Sequence, residues 1–156
     1  MNADDDLVTL TYISHSLIKP EKLPSELKRL ETKASYANRQ NEISGLLIHR
    51  QHRFIQRLEG RRSKIDALME KIRADKRHRN INVIFYEKLN QRLYPNWSQM
   101  RVISGSKGTE AIDRLFINLE TGNKKVLSNQ QCRFIVSFVQ NFDGKSDGKT
   151  NYEKAI

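Results

Sequence analysis

Two runs with helical spacing alternate with runs of strand character, and this change of period limits the folds open to the chain. Leu7-Val8-Thr9-Leu10-Thr11-Tyr12-Ile13 is apolar and β-branched, so it reads as a strand. Pro20 and Pro24 then punctuate a loop that leads into a helix. Leu23, Leu27, Leu30, Ala34 and Ala37 follow at steps of four, three, four and three, which is one face of an amphipathic helix. Ile43 to His49 and Arg53 to Glu59 read as two strands joined by the short turn Arg50-Gln51-His52. Gly60 ends the second of them. Ser63-Lys64-Ile65-Asp66 resembles a capping box with Ser63 as N-cap, and Ile65, Leu68, Met69 and Ile72 form the next helical stripe. Asn82 to Tyr86 is another strand, and Trp97 to Ile103 adds a short one.

The order β-α-β-β-α-β plus one strand predicts an α+β, ferredoxin-like sheet with two helices on one face. At 156 residues the chain has room for one such domain and a short extension. The sheet domain is assigned to 7–103 and a helical extension to 104–142. Within the extension, helices at about 109–121 and 127–141 take apolar faces from Phe116, Leu119, Phe134, Ile135 and Phe138. They are expected to pack on the free face of the sheet or on a partner. Residues 143–156, rich in Gly, Lys and Asp, are expected to be a disordered tail.

Composition excludes several function classes. No apolar run approaches the ~20 residues of a membrane span. The acidic start Asp4-Asp5-Asp6 does not suit a secretory signal, and a lone Cys132 allows no internal disulfide, so a cytoplasmic location is expected. The net charge of +10 raises the prospect of acidic or nucleic-acid partners. Between Arg39 and Arg79 twelve Lys/Arg face five Asp/Glu. An RNA-binding module on the same fold is therefore the alternative reading, although Arg53-Phe54-Ile55-Gln56-Arg57 carries one aromatic and no glycine where such modules stack bases. An enzyme is not expected: no P-loop, Gly-x-Ser-x-Gly, His-Glu-x-x-His or Gly-x-Gly-x-x-Gly occurs. His15, His49 and His52 lack metal-ligand spacing and read as surface residues, and no metal is expected. Cys132 reads as a small hydrophobe on a helix.

Three polar residues fall where the pattern calls for apolar ones. Strand alternation puts Gln56 on the face of Phe54 and Leu58, and Tyr12 on the face of Leu10 and Ser14. Asn38 follows Leu27 by eleven residues, close to three full helical turns, so it projects from the buried side. A buried amide without a partner costs about 1–3 kcal/mol. Each of the three must bond to backbone, to a neighbour or to a ligand, and their convergence from three elements favours a planar polar ligand between helices and sheet.

These residues sit in a wider pattern: Leu10-Thr11-Tyr12-Ile13-Ser14, Asn38, Ile43-Ser44-Gly45-Leu46-Leu47, Phe54-Ile55-Gln56-Arg57-Leu58-Glu59-Gly60, Asp75-Lys76-Arg77-His78-Arg79-Asn80 and Tyr94-Pro95-Asn96-Trp97-Ser98. In it the chain resembles the BLUF family of blue-light sensors that use FAD, over about 7–102. The resemblance implies that Tyr12 gives an electron and a proton to the photoexcited flavin. It places Gln56 between that tyrosine and the flavin N5/O4 edge, where its amide rotates or tautomerises and makes a new bond to the C4 carbonyl. Asn38 would hold the C2/C4 edge, and no covalent adduct forms. A phenol and a rotatable amide that both donates and accepts suit these roles.

By the same resemblance Ser14 joins the cofactor site, Lys71 and Asp75 lie near the ribityl and phosphate part, and Arg77 and His78 lie near the phosphates. The family's Trp-x-Met is altered here: Trp97 is followed by Gln99 at the methionine place and Met100 one later. Either a bulge restores Met100 or a second glutamine nears the flavin. These three residues are assigned to signal output. On so short a chain the output is expected to reach a separate effector protein, with self-association of the receptor.

Overall fold

The computed structural model describes residues 2–92, 101–103, 110–121 and 127–141. Five strands form one sheet: β1 (Leu7–Ser16), β2 (Ser44–Arg50), β3 (Arg53–Arg61), β4 (His78–Lys88) and β5 (Arg101–Ile103). Their order is β4-β1-β3-β2-β5. The first four pair antiparallel, and β5 adds to β2 in parallel. Helix α1 (Leu23–Gln40) joins β1 to β2, and α2 (Arg62–Ala74) joins β3 to β4. This is the expected ferredoxin-like topology. The chain divides into two units, Met1–Ile103 and Ser104–Ile156. In the second, α3 (Glu110–Thr121) and α4 (Asn129–Asn141) contact each other, with Phe116, Ile135 and Phe138 buried and Phe134 half-buried. The side chain of Leu119 and the proposed tail 143–156 lie outside the described residues.

Register assembles the core. Tyr12 lies opposite Gln56, Leu10 opposite Leu58, and Leu47 opposite Gln56 from the other side. Leu10, Leu47, Phe54 and Leu58 from the sheet meet Leu27 of α1 and Ile65 and Met69 of α2. The opposite face of the central strands is buried as well: Thr9, Thr11, Leu46, Ile48, Ile55, Arg57 and Glu59 are all inaccessible. The β2–β3 hairpin closes through Gln51 and His52, both with positive φ, 49° and 59°. That is the geometry of a two-residue type I′ turn, formed here without the usual Asn-Gly.

Two expectations from the sequence are corrected. Ser63 is not the N-cap of α2. The strand β3 runs on through Gly60 to Arg61, and the helix begins at Arg62 with no side-chain cap. Its first amide is satisfied from a distance instead: the Arg62 N–H donates to the Asp6 carbonyl at 2.8 Å. The Asp6 carboxylate also pairs with Lys88 at 3.1 Å, so the acidic start of the chain ties α2 to β4. A Cβ at Gly60 would crowd Ile43 Cγ1 at 3.2 Å, so the junction packs closely around the glycine.

His49 is not a surface residue either. It sits on the inner face of β2, buried, with its ring 4.9 Å from that of Phe54. Burial, reinforced by the charges of His52 and Arg50, pushes its pKa down from 6.5 to about 4. The unfolded chain therefore takes up this proton below about pH 6.5, while the folded chain resists it until about pH 4. Stability from this group is full above the upper value and is lost as pH falls through the window. We predict that the melting temperature falls between pH 6.5 and 4, and falls less in His49→Phe. Parallel pH profiles for the two proteins would contradict the assignment.

Candidate functional site

The first unit holds a cleft of about 280 Å³ between α1, α2 and the sheet. The stripe of α1 explains why it opens there. Leu27 at the N-terminal end is buried in the core, but Leu30, Ala34 and Ala37 line the cleft, and the two alanines leave room where leucines would fill it. Leu68 and Ile72 of α2 form the opposite wall, and Leu47 and Phe54 part of the floor. The walls are thus apolar, with a few convergent polar groups, as in small-molecule sites.

Tyr12 and Gln56 occupy the floor. Cross-strand pairing places them side by side, and the Tyr12 hydroxyl donates to Gln56 Oε1. Both are buried, at 3% and 5% exposure. Burial, with the nearby Asp75 carboxylate as a lesser cause, raises the Tyr12 pKa well above its ordinary 10. The phenol is thereby held neutral and protonated. A shift in the β1–β4 register between Thr11 and Tyr12 marks a bulge beside this residue, a device that re-aims side chains near functional sites.

Asn38 projects from α1 into the same cleft and is 2% exposed. Its backbone carbonyl accepts from the Ile43 N–H at 2.8 Å and so fixes the turn into β2. Its side-chain Nδ2 is buried with no hydrogen-bond partner among the described residues. Such a donor is costly in a closed protein and suits a carbonyl-bearing ligand.

His78 and the Asp75–Arg77 pair form the mouth. His78 Nε2 donates to the Ile72 carbonyl at 2.7 Å, because that oxygen can only accept. In the neutral ring Nδ1 is then the acceptor, so the Ser14 hydroxyl donates to it at 2.8 Å. The Asp75 carboxylate accepts from Arg77 Nε at 3.0 Å and Nη2 at 2.5 Å, and from the Arg77 backbone N–H at 2.9 Å. These bonds hold the Asp75 carboxyl below its usual range, and the same pairing raises the Arg77 pKa. A second carboxylate, Glu26 of α1, approaches Arg77 at 3.8 Å.

Tyr12, Asn38, Gln56, Lys71, Asp75, Arg77 and His78 thus line one cleft. Ser14 does not line it; it stands behind His78 and fixes the ring. Trp97, Gln99 and Met100 lie outside the described residues. Sequence reasoning missed Lys33, which lines the cleft from α1. It follows Leu30 by three and precedes Ala37 by four, so helical spacing alone could have placed it there. The alternative of an RNA-binding sheet loses its platform, because Phe54 and both its neighbours on β3 are buried. No described helix is long and apolar enough to cross a membrane.

Comparison with known proteins agrees with this geometry. Residues 7–100 match the family described as BLUF, sensors of blue-light using FAD. Photoactivated adenylate cyclase subunit beta of Euglena gracilis is 34% identical over 93 residues, which are 60% of this chain and 11% of that protein. The chain spans about a tenth of the length of this and related cyclase subunits. Among solved structures, BlsA in its photo-activated state superposes with a TM-score of 0.69 at 29% identity, over 88% of this chain and 96% of BlsA. The dark-state structure of the BLUF protein BlrB gives a TM-score of 0.63 at 28% identity, over 88% of this chain and 94% of BlrB. With the match extending over more than half its length, and with Tyr12 bonded to Gln56 in a cleft beside Asn38, the chain belongs to the BLUF family of blue-light sensors.

Proposed function

We propose that this chain is a light receptor in which Tyr12 and Gln56 form the switch, and that it passes its signal to a separate protein. The observation that carries the reading is the Tyr12–Gln56 hydrogen bond at the floor of a cleft that also holds the unpartnered Asn38 amide. These residues fit FAD. When bound, FAD supplies the blue-light absorption and an electron-accepting ring. Asn38 Nδ2 would donate to a ring carbonyl, and Lys71 and Arg77 at the mouth suit the diphosphate.

The chain's own groups then set the chemistry. Tyr12 is a neutral phenol whose proton is aimed at Gln56 Oε1. Loss of an electron makes that proton strongly acidic, and Gln56 is the acceptor in place. A side-chain amide has a carbonyl at one end and an NH2 at the other, so rotation or tautomerisation reverses its donor and acceptor ends at little steric cost. Burial makes each bond gained or lost weigh more than it would in water. The other titratable groups point to signalling rather than turnover. Asp75 is tied by Arg77, and both nitrogens of His78 are engaged. Neither is poised to shuttle protons for a substrate.

Two substitutions test the reading. Gln56→Leu should retain FAD and lose the small light-induced red shift of its absorption; a normal shift would refute the switch. Asn38→Ala should weaken FAD binding roughly tenfold or more. Without FAD the same variant should melt no lower than the parent, since an unpartnered buried amide has been removed. Unchanged affinity would contradict the assigned role. For the output, α3 and α4 and self-association of the receptor are the proposed readouts. Hydrogen exchange in α3 and α4, or elution volume, should differ between dark and illuminated protein, and identical behaviour in both would overturn that part.

A further inference from the structure

The core explains one side of α1 and leaves the other unexplained. Tyr36 is 71% exposed, the most exposed of the large hydrophobic side chains described. It follows the buried Leu27 by nine residues, about two and a half turns, so it points directly away from the sheet. Arg29, Lys33 and Arg39 stand seven and three residues before it and three after it, all exposed. At about 100° per residue they fall within about 60° of Tyr36 around the helix axis. The stripe also holds Thr32 and Gln40. Glu31 falls on the other side of the helix. Glu26, half-buried, flanks the stripe and meets the exposed Arg29 at 3.5 Å.

We propose that this outer face of α1 is a docking surface for single-stranded nucleic acid. An exposed aromatic ring among cations, on a protein of net charge +10, is complementary to that polymer in two ways. The ring gives an unpaired base a face to stack on, and the guanidinium and ammonium groups neutralise successive phosphates. From Arg29 to Arg39 the stripe is about 15 Å long, enough for a few nucleotides. A duplex, whose bases are already stacked on one another, lacks the first half of this complementarity. An acidic protein has the charge but no base to stack. The surface adjoins the cleft at Lys33, which borders both, while Tyr36, Arg29 and Arg39 do not line the cleft.

The test is fluorescence anisotropy of a labelled oligouridylate of about 12 nucleotides with the full FAD-loaded chain, in darkness. Binding should weaken with salt at a log–log slope of about −2, the value for three phosphates on a single strand. Tyr36→Ala should weaken binding about tenfold with the slope unchanged. Arg29→Ala with Arg39→Ala should reduce the slope by about 1 to 1.5. Each variant should keep its light-induced flavin shift, which certifies the fold. No binding of the oligouridylate, equal affinity of Tyr36→Ala and parent, or equal competition by a duplex or by polyglutamate would overturn the proposal. The last of these would identify a plain cationic surface for an acidic partner.

Discussion

A phenol and an amide, buried side by side on neighbouring strands and hydrogen-bonded to each other, are the constraint around which this domain is organised. Neither belongs in a core by hydrophobicity. Tyr12 tolerates the site because Gln56 accepts its hydrogen bond, and the β1–β3 register that sets Leu10 against Leu58 also sets these two side by side. A one-residue slip would send Tyr12 or Gln56 to the far face and break the apolar core at the same time. The core and the Tyr12–Gln56 hydrogen bond are therefore specified by the same alternation.

The cleft over this pair is a consequence of side-chain size. Large residues of α1 fill the space near Leu27, and small ones leave it open near Ala34 and Ala37. Asn38 then faces a cavity rather than a leucine, and its amide is left without a protein partner among the described residues. At the mouth, the Asp75–Arg77 pair and the Ser14–His78–Ile72 chain of bonds fix charged and ring groups that would otherwise move. Arg92 performs a similar task at the opposite end of the sheet. It bonds to the Ser44 hydroxyl and the Glu59 carbonyl, each at 3.2 Å, and to the Glu42 carbonyl, and so fastens the chain beyond β4 to β2 and β3.

Much of this was legible in the sequence because period and polarity conflict at a few places. Tyr12, Asn38 and Gln56 stand out as polar residues on apolar faces, and the resemblance to BLUF proteins adds Lys71, Asp75, Arg77 and His78. What was not legible depends on tertiary contact. The Asp6 carbonyl caps α2 from far along the chain, whereas the local pattern points to Ser63. His49 reads as a surface residue because one histidine among Leu47, Ile48 and Arg50 carries no sign of its burial. The inaccessibility of Arg57 likewise could not be read from alternation, which places it opposite Gln56 but does not say that both faces of β3 are covered.

The central claim is that light rewires the Tyr12–Gln56 hydrogen bond. It is tested most directly by a light-minus-dark infrared difference spectrum of the FAD-loaded chain. A new bond from the Gln56 side chain predicts that the flavin C4 carbonyl band moves to lower frequency on illumination and returns in darkness. A carbonyl band that stays in place while the flavin is excited would contradict the account.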